Sequence, residues 1–176
     1  RAEMERLLKG RGQIVNSDGD FDGALKKAKR VVERVYDVPY VSHATLEPQN
    51  CIAHVRSDGV DIIAPTQTPG GANRVANAIT GIDRDKISVK FTRIGGGFGR
   101  RLEADYVAEA VMISKEIKAP VRVFWTREDD LAHDFYRPNG RHHLIAGVGA
   151  DGKIVAWKHR LATAGKNNRR AGVKTE

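Results

Sequence analysis

The chain has 176 residues, 40% of them hydrophobic, which is enough for one domain with a real core. Lys and Arg outnumber Asp and Glu by 30 to 22, a formal net charge of +8. One cysteine, Cys51, excludes an internal disulfide and an iron–sulfur cluster, and no apolar run approaches the length of a membrane span.

The basic surplus raises the question of nucleic acid. It gathers toward the two ends, at Lys26-Lys27-Ala28-Lys29-Arg30 and Lys166-Asn167-Asn168-Arg169-Arg170, without aromatic residues interleaved to stack on bases. A basic piece whose acidic complement lies on other chains or domains explains it as well, so neither nucleic acid nor a membrane is expected as a partner. The chain opens on Arg1 and its ends hold few apolar residues. An excised part of a longer polypeptide is therefore expected, and the compartment, cytoplasmic or periplasmic, stays open.

Residues 1–20 read as a connector, with Met4, Leu7 and Leu8 at helical spacing in its first part. Phe21 to Val35 reads as a helix with Asp20 or Asp22 as N-cap; its final part, Val31 to Val38, fits a strand equally well. Asp18, Asp20, Asp22 and Gly23 match the first positions of an EF-hand loop, but Lys29 stands where the bidentate Glu belongs, which defeats a calcium site. Cys51 to Arg56 and Val60 to Ala64 form two strands around Ser57-Asp58-Gly59. Ala72 to Thr80 is a short helix, and Lys86 to Thr92 alternates like a strand. Ala104 to Lys118 is a helix whose apolar face is Val107, Ala108, Val111, Met112 and Ile117. Val121 to Thr126 is an apolar strand, Arg127 to Ala132 a helical turn, and Arg141 to Val148 with Lys153 to Leu161 a second hairpin. From Ala164 the chain is polar. The class is α+β: one mixed sheet with two or three helices, in one domain at 21–163, followed by a basic tail at 164–176.

Between strand and helix lies Arg93-Ile94-Gly95-Gly96-Gly97-Phe98-Gly99-Arg100-Arg101. So many glycines allow backbone N–H groups to press against a ligand, and inward-turned N–H groups make an anion-binding nest. Phe98 is the loop's one side chain between Gly95 and Gly99, free to wall a pocket. Neither GxxxxGK[ST] nor GxGxxG fits, so a nucleotide loop is not expected. The alternative is a tight strand-to-helix turn. His43 and Glu47 are too few for zinc; Glu47 instead caps a turn or pairs with an arginine. The other histidines read as packed or solvated, Cys51 as a small core residue, and no metal site is expected.

GGGFGRR, with Thr66-Gln67-Thr68-Pro69 and His43-Ala44-Thr45-Leu46-Glu47-Pro48 before it, resembles the molybdenum-binding subunit of the xanthine dehydrogenase/aldehyde oxidase family. Arg100-Arg101 and Asp134-Phe135-Tyr136-Arg137-Pro138 are similar to the branch of isoquinoline 1-oxidoreductase beta subunits and nicotinate-type dehydrogenases. The resemblance runs from about Asp22 to about Ala162. It implies the first molybdopterin-binding domain of a molybdenum hydroxylase. It carries hydrogen bonding to the molybdenum centre over to Gln67, and cofactor contact to Gly96, Gly97, Phe98 and Gly99. Arg100 and Arg101 would reach a cofactor phosphate or pair locally with Glu103 and Asp105, the latter being favoured.

The implied reaction hydroxylates a carbon next to nitrogen in an aromatic heterocycle, or oxidises an aldehyde. Electrons would leave through an iron–sulfur small subunit or a cytochrome, and the remainder of the large subunit is the other expected partner. The family's general-base glutamate belongs to a motif far toward the C-terminus of a longer subunit, so no catalytic residue is expected here. Glu47, Glu103 and Glu109 do not sit in that motif. The isolated chain is accordingly expected to hold no cofactor tightly and to be inactive. The rival readings are a non-catalytic binding or interaction module of the same fold and, more remotely, a basic nucleic-acid-binding domain.

Overall fold

The computed structural model describes residues 2–164; apart from Ala164, the basic tail expected at 164–176 lies outside the described residues. The chain divides into two compact units, Arg1–Val41 with Arg137–Glu176, and Ser42–Tyr136.

In the first unit, helix α1 (Ala2–Lys9) and helix α2 (Phe21–Lys27) precede strand β1 (Arg30–Val38). Asp20 caps α2 by accepting from Gly23 N at 3.0 Å, which is what the aspartates of the EF-hand-like stretch contribute. The ambiguous segment after Lys27 is a strand. Val31, Val32 and Val35 suit extended backbone, and β1 pairs antiparallel along its whole length with strand β6 (Gly140–Val148). That pairing joins positions more than a hundred residues apart, which no local periodicity reports. Strand β7 (Ile154–Thr163) lies on the other side of β6, so the order is β1-β6-β7. Gly147 is where α2 comes down on this sheet: a Cβ there would stand 3.0 Å from Ala28 and 3.2 Å from Leu25.

In the second unit, strands β2 (Asn50–Val55), β3 (Val60–Ala64), β4 (Ile87–Phe91) and β5 (Val121–Phe124) form a sheet ordered β4-β3-β2-β5. β3 and β4 are parallel and the other neighbours antiparallel, so the sheet is mixed. The expected single sheet is thus two sheets: β1, β6 and β7 pair only with one another. Among the described residues there are five α-helices, more than the two or three counted for the fold class, but each falls where the sequence showed helical pattern: α1 at the Met4, Leu7 and Leu8 spacing, α2 from Phe21, and α5 (Arg127–Ala132) at the expected helical turn.

Helix α3 (Pro69–Thr80) makes the crossover between the parallel strands, with Pro69 at its start and Gly81, at φ 76°, ending it. It packs with helix α4 (Asp105–Ile117) over a core of Cys51, Ala53, Ile62, Ala64, Ala72, Ala76, Val107, Ala110 and Val111. The buried face of α4 is rotated from the one expected. Tyr106, Val107, Ala110, Val111 and Ser114 are inside, while Met112 and Ile117 are at least half exposed. Two polar residues take inner positions because they find partners. Tyr106 donates to Pro65 O at 3.0 Å, and Ser114 Oγ accepts from Val55 N at 2.9 Å and donates to Ala119 O at 2.7 Å.

Candidate functional site

The glycine loop leaves β4, passes a short 3-10 turn at Arg100–Leu102 and enters α4. Gly96 and Gly99 sit at φ 98° and 101°, where a side chain would be strained. Phe98 lies between them in the left-handed region at φ 52°, uncommon for a bulky residue. Phe98 is 69% exposed. Non-glycine residues held in the left-handed region cluster at active sites and ligand clamps.

Gln67 meets this loop. It follows β3, and its N–H donates to Arg101 O at 3.2 Å. Its side-chain carbonyl accepts from Gly99 N at 3.1 Å. That bond fixes which way the carboxamide faces and leaves Nε2 as a donor with no acceptor among the described residues. Gly97 is buried, and a Cβ on it would stand 2.6 Å from Gln67 Oε1. The absence of a side chain at 97 is therefore what lets the Gln67 amide lie flat on the loop. The N–H groups of Gly96 and Gly97 also donate to no group among the described residues. Gln67, Gly96, Gly97, Phe98 and Gly99 are thus brought together at one place, on loops that follow two neighbouring parallel strands.

Behind the loop lies a polar network built around the buried Arg101, Gln49 and Asp130. Glu47 Oε2 accepts from Gly95 N at 2.7 Å, and Glu47 N donates to Gly95 O at 3.1 Å. Arg101 is fully buried; it donates from Nε to Gly96 O at 2.8 Å and from its other nitrogens to Glu47 O, Gln49 Oε1 and Pro65 O. It pairs with Glu47 at 3.2 Å, not with Glu103. Gln49 passes the network on to Asp130 at 3.0 Å, and Asp130 pairs with Arg127 at 2.9 Å. The expected pairing of Glu47 with an arginine is what the structure has.

Arg100, 1% exposed, forks onto Asp105 at 2.9 and 2.7 Å, as expected, and lies over the rings of Trp125 and Phe135. Burial works against its charge, but Asp105 foremost, with Asp134 and Asp130 nearby, outweighs that and holds the guanidinium above its ordinary pKa. Asp134 is the buried anion that sequence reasoning missed. It accepts from Ser42 Oγ at 2.7 Å and from His43 N, and lies 2.8 Å from His43 Nδ1 and 3.5 Å from Arg100 Nε. Burial pushes the Asp134 carboxyl up; the bonds from His43 N–H, Ser42 and the His43 ring overcome this and hold it below the usual range. His43 and Glu47, close in sequence, therefore serve different partners. Asp134 was visible only as part of a motif shared with a family branch, because its partners lie 91 and 92 residues away. Cys51 is a core residue, its thiol pushed up to about 12 by burial. No cluster of three or more metal-ligating side chains occurs among the described residues.

A mixed sheet with a glycine loop and an amide-bearing loop at one end of two parallel strands is the frame of a cofactor-binding domain. Residues 8–169 match the molybdopterin cofactor-binding domain family, and the chain belongs to that family. It is 36% identical over 156 residues to the beta chain of isoquinoline 1-oxidoreductase from Brevundimonas diminuta, covering 86% of this chain and 19% of that protein. It is 30% identical over 150 residues to a membrane-bound aldehyde dehydrogenase of Gluconacetobacter polyoxogenes, covering 85% and 19%. The aldehyde oxidoreductase of Desulfovibrio gigas shares the fold, with a TM-score of 0.70 at 16% identity over 82% of this chain and 16% of that one. The chain thus spans less than a fifth of the length of these relatives.

The residues present fit such a cofactor. Molybdopterin is anionic, and the N–H groups of Gly96 and Gly97 and the Nε2 of Gln67 have no competing acceptors among the described residues. The missing Cβ at Gly97 keeps that surface flat. Glu47 is held by Gly95 N and Arg101, Asp105 by Arg100, and Glu109 by Trp125 Nε1 at 2.7 Å.

Proposed function

We propose that this chain supplies one wall of the molybdopterin site in the large subunit of a molybdenum hydroxylase, with 1–20 leading into a cofactor-binding segment at 21–163 and 164–176 trailing it. The observation that carries the reading is the Gln67 carboxamide locked against Gly97 and Gly99. The substrate class is an N-heterocycle of the isoquinoline or nicotinate kind, or an aldehyde. Electrons pass to an iron–sulfur small subunit or a cytochrome.

When bound, the cofactor supplies two-electron redox chemistry, by which oxygen from water is added to substrate carbon. This chain's residues orient and shield. Gln67 Nε2 and the Gly96 and Gly97 N–H groups would donate to the bound cofactor; being neutral and already in place, they would stabilise negative charge with little reorganisation. Phe98 lines the wall with an apolar ring that excludes water and offers a face to a flat substrate. The general base lies outside this chain: Glu47, Glu103 and Glu109 do not sit in the family's base motif, and Glu47 and Glu109 are committed to structural bonds. The isolated chain binds cofactor weakly and does not turn over, because a ligand this large needs more than one wall.

The test is expression of the longer reading frame with its electron-accepting partner. Molybdenum per polypeptide and dye reduction with isoquinoline, nicotinate and an aldehyde panel are then measured. Stoichiometric molybdenum with turnover of one of these classes supports the proposal. A folded, molybdenum-free protein inert to all of them supports a non-catalytic module instead.

A further inference from the structure

We infer that Arg101, together with Glu47, is the positioning device that sets the spacing between the Gln67 amide and the N–H groups of the glycine loop. The inference rests on the proposed reading of that wall as a cofactor site. Arg101 touches no ligand surface: it is fully buried and every bond its side chain makes is to the protein. Its value lies in which segments it joins. Nε holds Gly96 O at the centre of the glycine loop. One terminal nitrogen holds Pro65 O, two residues before Gln67, and Gln49 Oε1. The other holds Glu47 at its carbonyl and its carboxylate. The main-chain carbonyl of Arg101 accepts from Gln67 N at 3.2 Å and from Thr66 Oγ1 at 3.3 Å. One residue thereby bonds the amide-bearing loop through both its side chain and its backbone, and grips the glycine loop from behind.

Glu47 completes the grip. It holds both the N–H and the carbonyl of Gly95, and its Cβ fills the space that a side chain at Gly95 would need, 2.5 Å from where that Cβ would stand. Gly95 and Gly96, two successive residues of the loop, are thus fixed from the protein side. A planar guanidinium suits this because its fork reaches several acceptors at fixed angles. A lysine donates from a single point and cannot span Gly96, Glu47 and Pro65 together.

The test uses the full-length subunit in its complex, with Arg101→Lys, Glu47→Gln and Glu47→Asp. Glu47→Gln keeps size and an acceptor for Gly95 N but removes the charge facing Arg101. Thermal unfolding, hydrogen exchange resolved over 95–99 and 66–68, and molybdenum per polypeptide are read together. The expected result is exchange faster by about tenfold or more confined to those two segments, with bound molybdenum lower by about tenfold or more. Glu47→Asp is milder than Glu47→Gln because it keeps the charge. Exchange at 95–99 and molybdenum content both equal to wild type in Arg101→Lys and Glu47→Gln overturn the inference. So does faster exchange spread evenly over the subunit, which marks a general loss of stability. If Arg101→Lys fails to fold, Glu47→Gln decides. If wild type itself lacks molybdenum, the functional reading fails, and the exchange pattern alone still judges the clamp.

Discussion

Replacing Gly97 by Ala separates the packing of the wall from its function. A methyl at 97 stands 2.6 Å from Gln67 Oε1 and 2.7 Å from its carboxamide carbon, well inside van der Waals contact. Something must move, and the choices are unequal. The loop is held by Glu47 and by the buried Arg101 through charge-assisted bonds. Gln67 is exposed and its carboxamide is tethered by one bond, to Gly99 N. The amide therefore swings out, costing about 0.5–1.5 kcal/mol for a lost hydrogen bond, not the ~1–3 kcal/mol typical of an overpacked core. Function suffers more than stability, because the carboxamide has left the wall. Chemical denaturation of wild type, Gly97→Ala, Gln67→Ala and the double variant closes a thermodynamic cycle. With Gln67 truncated, the methyl at 97 meets nothing it must displace, so a coupling of about 0.5–1.5 kcal/mol between the two sites is expected. Turnover of the full-length enzyme falls to the same level in both single variants and no further in the double. Strict additivity, in stability or in turnover, rules out this coupling.

Asp134→Ala removes a carboxylate that is 2% exposed in its side chain and serves Ser42, His43 and Arg100; a loss of about 3–5 kcal/mol is expected in denaturant unfolding, with exposed Glu116→Ala as a near-neutral control. The folded Asp134 carboxyl is held below its ordinary value of 3.8, so its contribution is present above that pH and is lost as pH falls through the lower, folded value. Acid unfolding profiles of wild type and Asp134→Ala should therefore run apart at neutral pH and converge as the pH drops below 3.8. Cys51, buried with its thiol pushed up to about 12, should not react with a thiol reagent at about pH 8 until denaturant is added.

The parts of the fold written in short-range pattern were legible. The β2–β3 hairpin showed because alternation on both sides of Ser57-Asp58-Gly59 is local; α3 showed as a helix at Ala72–Thr80, but it starts three residues earlier, at Pro69, which suits a helix's first turn. The partition of strands into two sheets was not legible. Every strand has two usable edges, and the pairing of Arg30 with Val148 is decided by contacts far apart in sequence. The same limit applied at the site. The glycine loop stands out by residue type, and Gln67 only through the motif it shares with the family; the structure brings the two together. The rear of the wall was not legible. Composition argues against burying two adjacent arginines, and the carboxylates that make it feasible, Glu47 for Arg101 and Asp134 beside Arg100, lie 54 and 34 positions away, a separation no spacing rule spans. The apolar face of α4 was misplaced for a related reason: Tyr106 and Ser114 turn inward because Pro65, Val55 and Ala119 offer them hydrogen bonds.

The most direct measurement is an anomalous-difference map at the molybdenum absorption edge from crystals of the cofactor-loaded full-length protein. A molybdenum peak is expected on the open side of the loop, beside the Gln67 carboxamide and the Gly96–Gly97 backbone, with the Phe98 ring lining the same cavity. A peak on the far side of the second unit's sheet, with Gln67 and Phe98 both in bulk solvent, contradicts the assignment of this wall to the cofactor.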